Sequence, residues 1–340
     1  MWPFALLAFL TSQLPADPAI SVRVDSARHE VVVSAGHFVV GGGGGHHEHG
    51  GHVPLLLPFR WPVGGWVRGA SIEVNDEHGQ ALSRHLIHHL NVVNLERRQL
   101  VRPAYERLLA VGQETGDLML PAGVGVPVAD QSRLALLVAW DHAAPTDLGP
   151  VDLTIRFRWV PPGTSPAPLA VLPLPLDVGF VSAARSDAYD LPPGPSDRSF
   201  EFRLAGSGRI LAIGGHLHDH GVSLRLEDVT TGKVLVDLQP IRNPDGQITG
   251  MPTRVPGAAG DGILLKAGRP YRLVARYDNP TGETLADGAM GVMIGIFAID
   301  APNRWSLSSA GALDLTEDAR ALAALKVIGD LAFGSVSAQR

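Results

Sequence analysis

Short apolar runs broken by Gly and Pro are the feature that most restricts the fold of this chain. In the clearest run, 151–159, apolar residues at every second position alternate with Asp, Thr and Arg. This period of two predicts a strand with one buried face and one wet face. The 39 Gly and 27 Pro are spread among such runs along all 340 residues. The pattern predicts an all-β protein: two jelly-roll-like antiparallel β-sandwiches with a short C-terminal helix.

A Pro-rich stretch at 161–176 divides the chain into two parts. Because so many prolines cannot continue a hydrogen-bonded ladder, we expect this stretch to be the linker between domains. The sandwiches are then predicted at 19–160 and 177–305. Alanine and leucine recur at helical spacing over about 317–331, which predicts a helical appendage within 306–340. A length of 340 residues with 45% hydrophobic content allows each domain its own core.

The first 18 residues resemble a secretory signal peptide. An apolar run at 2–10 is followed by Thr, Ser and small residues, and it is too short to cross a membrane. The usual positive charge at the start is missing, which leaves a buried N-terminal segment or a misplaced start codon as alternatives. We expect export to the periplasm or the cell exterior.

Composition excludes several classes of partner and site. Charged residues make up 18% of the chain, the formal net charge is −6, and no run of Lys and Arg stands out. Neither a nucleic acid nor an anionic membrane surface is an expected partner, because both require a basic face. The chain has no Cys, so a metal would have to be held by His, Met, Asp or Glu. The sequence leaves the oligomeric state open.

The histidines carry the main functional signal. All 14 precede residue 221, and the strongest group follows the apolar run 210–213 as Gly-Gly-His-Leu-His-Asp-His-Gly. Residues two apart in a strand share a face, so His216 and His218 can direct imidazole nitrogens at one ion. His220 would join them if the strand stayed extended, whereas Gly221 favours a turn.

No histidine follows His220, so a ligand from the remaining residues would have to be a Met or a carboxylate. Met290 and Met293 lie in an apolar run and face opposite ways. Alternation groups Met290 with Val292 and Ile294, and only one of the two methionines can reach a site on a given face. A strand methionine is most often core packing.

A second group of histidines lies in the first half of the chain. His88 and His89 are adjacent, and in a regular strand they would face opposite ways, so they can share an ion only at a bulge or a strand end. His142 ends a later apolar run and is the candidate third ligand. His85 and the Gly/His-rich segment 41–52 remain alternatives, although ordering so many glycines costs entropy.

These motifs, in this order, resemble the copper- and ascorbate-dependent monooxygenases of the peptidylglycine α-hydroxylating and dopamine β-monooxygenase family. The resemblance covers about 20–300 and implies two copper ions, one in each sandwich. The first copper, which stores an electron, would be held by His88, His89 and His142. The second, catalytic copper would be held by His216, His218 and Met290. The implied reaction hydroxylates an aliphatic carbon of a small-molecule substrate, with O2 and an ascorbate-type reductant.

Two departures from the family leave other functions open. The family's disulfides are absent, and the positions that would anchor a peptide carboxylate are Gly214, Val292 and Ile294. An amidated-peptide substrate is therefore not expected. A non-catalytic copper protein for binding, storage or delivery is the main alternative. A two-domain cupin is a third, but cupins need a Glu soon after the second His, and here the next one is Glu227.

Overall fold

The computed structural model describes residues 19–41, 55–112, 115–142, 144, 146–180, 188–259, 262–300 and 318–324. The predicted signal peptide at 1–18 lies outside the described residues. The same holds for nearly all of the Gly/His-rich segment, of which only Gly41 is described.

The first half of the chain forms two facing sheets, as expected for short alternating apolar runs. One sheet has the order β1-β2-β10-β4-β8-β11, with β7 paired to β4, and the other has the order β3-β9-β5-β6. The strands are β1 (Ala19–Asp25), β2 (Glu30–Val40), β3 (Leu55–Arg60), β4 (Gly65–Asp76), β5 (Ile87–Arg98), β6 (Tyr105–Gly112), β7 (Leu118–Met119), β8 (Val124–Val128), β9 (Arg133–Trp140), β10 (Leu148–Val160) and β11 (Leu169–Ala170).

The core of this first sandwich is formed by inward-facing residues of both sheets. The strand predicted at 151–159 is the centre of β10, where Leu153, Ile155 and Phe157 are buried and the intervening residues are not. They pack against residues of the second sheet such as Leu90 and Leu136. Burial of these alternate positions stabilises the sandwich by removing apolar area from water.

The second half of the chain forms a second sandwich. Its two main sheets have the orders β12-β23-β15-β20 and β14-β21-β16-β17, and two small sheets pair β13 with β22 and β18 with β19. The strands are β12 (Leu172–Asp177), β13 (Tyr189–Leu191), β14 (Gly194–Phe202), β15 (Gly208–Leu217), β16 (Gly221–Asp228), β17 (Lys233–Leu238), β18 (Ile241–Arg242), β19 (Ile248–Gly250), β20 (Ile263–Leu265), β21 (Tyr271–Asn279), β22 (Leu285–Ala289) and β23 (Gly291–Ile299).

The Pro-rich stretch differs from the strand-free linker expected at 161–176. Its second part forms β11 and then β12, and β12 pairs with β23 along its whole length. β12 lies at the edge of its sheet, and Pro173 and Pro175 occupy alternate positions. Their missing N–H groups therefore fall on the edge that carries no partner strand among the described residues, which is where proline is tolerated in a sheet.

The predicted fold class, two jelly-roll-like antiparallel β-sandwiches with a short C-terminal helix, is confirmed. Residues 318–324 are helical, and the rest of the helix predicted at 317–331 lies outside the described residues. Within the part of the chain that the structure describes, no helix is long and apolar enough to cross a membrane.

The two sandwiches meet along one face of the sheet that contains β15 and β23. Met293 and Phe297 of β23 point into the second core, so the alternate residues point out of it. Ile296 and Ala298 on this outer face pack against Val124 and Val126 of β8, together with the residues Val171, Leu108, Leu120 and Leu211. This apolar contact holds the outer face against the first sandwich.

Candidate metal centre

His216 and His218 lie at the end of β15, on the side that faces the first sandwich. His216 is directly opposite Val292 of β23, whereas Leu217 points into the second core. The strand ends at Leu217, and the chain turns at His218, whose carbonyl accepts a hydrogen bond from the Gly221 N–H at 3.1 Å. The two imidazole rings are 5.2 Å apart between centroids, so both reach the same region, as predicted from their spacing.

A β-bulge brings His88 and His89 together. Ile87 pairs with Trp140 and His89 pairs with Ala139, so His88 is an extra residue with no counterpart on β9. The bulge interrupts the alternation that would otherwise send these side chains to opposite faces. Their ring centroids are 4.3 Å apart, so the condition under which adjacent histidines can serve one ion is met here.

The two histidine groups converge on one place between the sandwiches. One nitrogen from each of His89, His216 and His218 can be chosen so that all lie within 4.8 Å of one another. The ring of His89 is 5.6 Å from that of His216, and the ring of His88 is 6.4 Å from that of His218. The structure therefore combines residues that the sequence had assigned to two separate sites.

The His89 imidazole is held in the neutral form, which is the form that binds metals. Burial lowers the pKa of His89 well below its usual value, and the nearby side chains of His88, His216, His218 and Arg107 lower it further. Its Nε2 atom is buried and has no hydrogen-bond partner among the described residues. A buried nitrogen without a partner is unfavourable unless a ligand satisfies it.

A buried ion pair lies beside this cluster and crosses between the sandwiches. Arg107 of β6 places its Nη1 atom 3.6 Å from Oδ2 of Asp177 in β12, and both side chains are less than a tenth exposed. Arg102 donates a hydrogen bond to the main-chain carbonyl of Asp177 at 2.7 Å. These contacts fix β6 and β12, and with them the two halves of the histidine cluster.

Tyr277 of β21 reaches the same end of β15 from within the second core. Its hydroxyl accepts hydrogen bonds from the N–H groups of His218, at 3.1 Å, and Met290, at 3.0 Å, and it donates one to the Met290 carbonyl. Burial raises the pKa of this hydroxyl above its usual value, so it stays protonated and can donate. The main chains of His218 and Met290 are thus neighbours.

The two methionines occupy different environments. Met293 is fully buried in the second core and lies opposite Gly215, on the face away from His216. Met290 is also buried, immediately before β23 and next to the main chain of His218, but it does not belong to that core. The alternation predicted for the two residues agrees with this placement.

Three other candidate histidines are described by the structure but do not belong to the group of three whose nitrogens lie within 4.8 Å of one another. The chain at His142 runs beside the 3-10 turn Arg84–Leu86, since Asp141 N–H donates to the Leu86 carbonyl at 2.8 Å. His85 is an exposed residue of that turn, and His220 adopts a left-handed φ of 68° in the turn after β15. The four histidines of the Gly/His-rich segment lie outside the described residues.

Sequence reasoning missed Arg107, Asp177 and Tyr277. Adjacent Glu106 and Arg107 within the otherwise apolar strand β6 were a signal, because buried charges require partners. Asp177 ends a run of apolar and proline residues, and Tyr277 reads as an ordinary core residue of an alternating strand. Nothing in their sequence spacing relates them to the histidines.

Comparison with known proteins shows no family. No family model matches the chain, and no curated protein matches it. Solved structures with some likeness include Sulfolobus Turreted Icosahedral Virus (8% identity, 92% of this chain and 99% of that chain, TM-score 0.40). A second is the glycosylasparaginase PNGase F from Flavobacterium meningosepticum (10% identity, 78% of this chain and 96% of that chain, TM-score 0.36). A third is a fucolectin from striped bass serum (9% identity, 82% of this chain and 85% of that chain, TM-score 0.22). All three TM-scores are below 0.5, so none supports a statement about the function of this chain.

Proposed function

We propose that the protein binds copper at a centre shared by the two sandwiches and uses it to hydroxylate an aliphatic carbon with O2. The observation that carries the proposal is the convergence of His89, His216 and His218, whose nitrogens lie within 4.8 Å of one another. One copper ion on these three residues is the core of the proposal. His88, whose ring is 4.3 Å from that of His89, is placed to contribute to the same ion or to a second one.

The donor set fits copper. Neutral imidazoles suit Cu and Zn, and among divalent ions such a site favours Cu over Zn. The buried Nε2 of His89 has no other partner among the described residues, and an ion would satisfy it. The three imidazoles form the primary donor set, and Met290, whose N–H group bonds to the same Tyr277 hydroxyl as the N–H group of His218, is the candidate soft ligand beside them.

Bound copper would supply the electron transfer that activates O2. In the overall reaction, one oxygen atom enters a C–H bond to give an alcohol and the other leaves as water. Two protons and two electrons are consumed, and the electrons come from an ascorbate-type reductant. The contribution of the chain is to hold the imidazoles in place and to keep His89 neutral.

The surroundings of His216 favour an apolar substrate. Val292 is its direct partner on β23, and Gly214 is opposite Ile294 on the same face. These side chains cannot pair with a carboxylate, so a small molecule with an exposed aliphatic carbon fits better than an acidic peptide. Export, as expected from the N-terminal sequence, would place such a site where O2 and reductant are available.

Ascorbate-dependent O2 uptake tests the catalytic part of the proposal. Copper-loaded protein, freed of excess metal and supplied with ascorbate and a panel of small aliphatic substrates, should consume O2 faster than the same concentration of free copper under the same conditions. The variant His216→Ala, treated identically, should fall to the free-copper background because one of the three imidazoles is gone. An oxygen electrode measures both rates.

A non-catalytic copper protein is the second candidate. It is favoured by the lack of any polar side chain at Gly214, Val292 and Ile294, since a substrate would find no hydrogen-bonding or charged side chain at these positions. In the same experiment such a protein would bind copper, yet its O2 uptake would not exceed the background. That result would remove the enzyme proposal and leave copper binding in place.

Replacing the two methionines separately tests which of them is the soft, thioether ligand of copper. Met290→Ala is expected to weaken Cu(I) binding at least about tenfold and Cu(II) binding much less, because a thioether is a soft donor. Met293→Ala should cost about 2 to 5 kcal/mol of stability through the cavity it leaves, with Cu(I) affinity unchanged in the folded protein. Cu(I) competition titrations check both variants. Weak Cu(I) binding by Met293→Ala with normal binding by Met290→Ala would reverse the assignment.

A further inference from the structure

We infer that the Tyr277 hydroxyl is a positioning group for the copper centre, because it holds His218 and Met290 in place beyond the end of the β15–β23 ladder. The inference rests on the proposed function and names the residue that shapes its site. Tyr277 itself belongs to β21, in the opposite sheet of the second sandwich, and it acts on main-chain groups and not as a ligand.

The ladder between β15 and β23 includes His216 but stops one residue short of His218. Its last pair joins Leu217 to Gly291, and the next residues outward are His218 and Met290. In a longer ladder their main-chain groups would bond to each other. Here both N–H groups donate to the Tyr277 hydroxyl instead, at 3.1 Å and 3.0 Å. The Tyr277 hydroxyl thus takes the place of the main-chain hydrogen bonds that a further pair of the ladder would form.

The hydroxyl is fully used in this role. A tyrosine oxygen has one donor proton and two acceptor positions. The proton goes to the Met290 carbonyl, and the two N–H groups occupy the acceptor positions. Tyr277 is only 2% exposed, so bulk water cannot replace its hydroxyl as a hydrogen-bond partner. Removal of the oxygen would leave three main-chain groups to find new partners.

This arrangement bears on the metal because the main chain of His218 lies beyond the ladder. It stands at the start of a turn in which His220 has a left-handed φ of 68°, and β16 begins at Gly221. The ring of His218 must nevertheless be held 5.2 Å from that of His216, whose main chain is fixed by the ladder. Fixing the His218 main chain fixes this spacing.

Tyr277→Phe tests the inference, with Tyr271→Phe as a matched control. Tyr271 lies on the same face of β21, is 1% exposed, and accepts a hydrogen bond through its hydroxyl from Lys266 N–H at 2.7 Å. Six residues of strand place it about 20 Å from Tyr277. Both variants lose a buried hydroxyl from the same core, and only one loses the group next to His218.

We expect Tyr277→Phe to bind Cu(II) at least tenfold more weakly and to change the copper hyperfine splitting in the electron paramagnetic resonance spectrum. Tyr271→Phe should lower the melting temperature and keep the wild-type spectrum and affinity. Wild-type spectrum and affinity in Tyr277→Phe would overturn the inference while leaving the copper centre intact. Failure of the wild-type protein to bind copper would instead remove the proposed function, and the inference with it.

Hydrogen exchange of the wild-type protein provides a second measurement if Tyr277→Phe does not fold. The amides of His218 and Met290 lie outside the β15–β23 ladder. Because both are bonded to the buried Tyr277 hydroxyl, we expect them to exchange as slowly as amides inside β15 and β23. Exchange of these two amides at the rate of exposed turn residues such as Asp219 would overturn the inference.

Discussion

His89→Ala and His216→Ala should each remove the same copper ion, although the two residues belong to different sandwiches. Each variant loses one of three imidazoles. The share of one ligand in a typical metal-binding free energy corresponds to a change in affinity of about 100-fold or more, so we expect the affinity for that ion to fall by that factor. The double variant should lose no more copper than either single variant. Elemental analysis after dialysis against a chelator measures the retained copper.

The controls are histidines that lie outside the close group. His85→Ala changes an exposed residue of the first sandwich, and His220→Asn keeps a residue type that tolerates the left-handed φ of that turn. Both should retain wild-type copper. Two ions in the wild-type protein, one in each single variant and none in the double variant would show that the two sites are separate, as the family resemblance implied.

The local features of the site could be predicted from the sequence because they depend on local geometry. Alternation determines that His216 and His218 share a face and that Met290 and Met293 do not. For the pair His88 and His89, the sequence predicted only a condition, a bulge or a strand end. The bulge depends on pairing with β9, since Trp140 and Ala139 set the register opposite Ile87 and His89.

The meeting of the two groups could not be predicted, because it depends on how the sandwiches pack. The outer face of β23 rests on β8 through Ile296 and Ala298, and no pattern in either strand specifies the other as its partner. The Pro-rich stretch also hid this relation. It was interpreted as a linker between domains, whereas β12, which begins within it, is an edge strand that brings Asp177 to Arg107.

Asp177→Ala is expected to destabilise the protein strongly, because the substitution breaks the ion pair that joins the two sandwiches. It leaves the Arg107 guanidinium without this carboxylate at a place where only 8% of the side chain is exposed. Breaking a buried ion pair from one side costs about 3–5 kcal/mol, because the remaining charge has lost its compensation. The free energy of unfolding, from urea denaturation of metal-free protein, measures this cost.

A pair at the surface supplies the comparison. Glu201 and Arg272 also form an ion pair, yet their side chains are 53% and 38% exposed, so Glu201→Ala should cost much less stability than Asp177→Ala. The double variant Asp177→Ala with Arg107→Met should regain part of the loss, since it removes both buried charges together. Equal small costs for Asp177→Ala and Glu201→Ala would show that the pair does not hold the sandwiches together.

The same substitution links stability to the copper centre. Arg107 is one of the charges that lower the pKa of His89, and Asp177 is the carboxylate that balances it. Without that carboxylate, the positive charge of Arg107 acts on a bound cation with less compensation. Asp177→Ala should therefore also weaken Cu(II) binding, and adding Arg107→Met should restore it. Restored copper affinity together with unrestored stability would separate the electrostatic effect of the pair on the metal from its part in joining the two sandwiches.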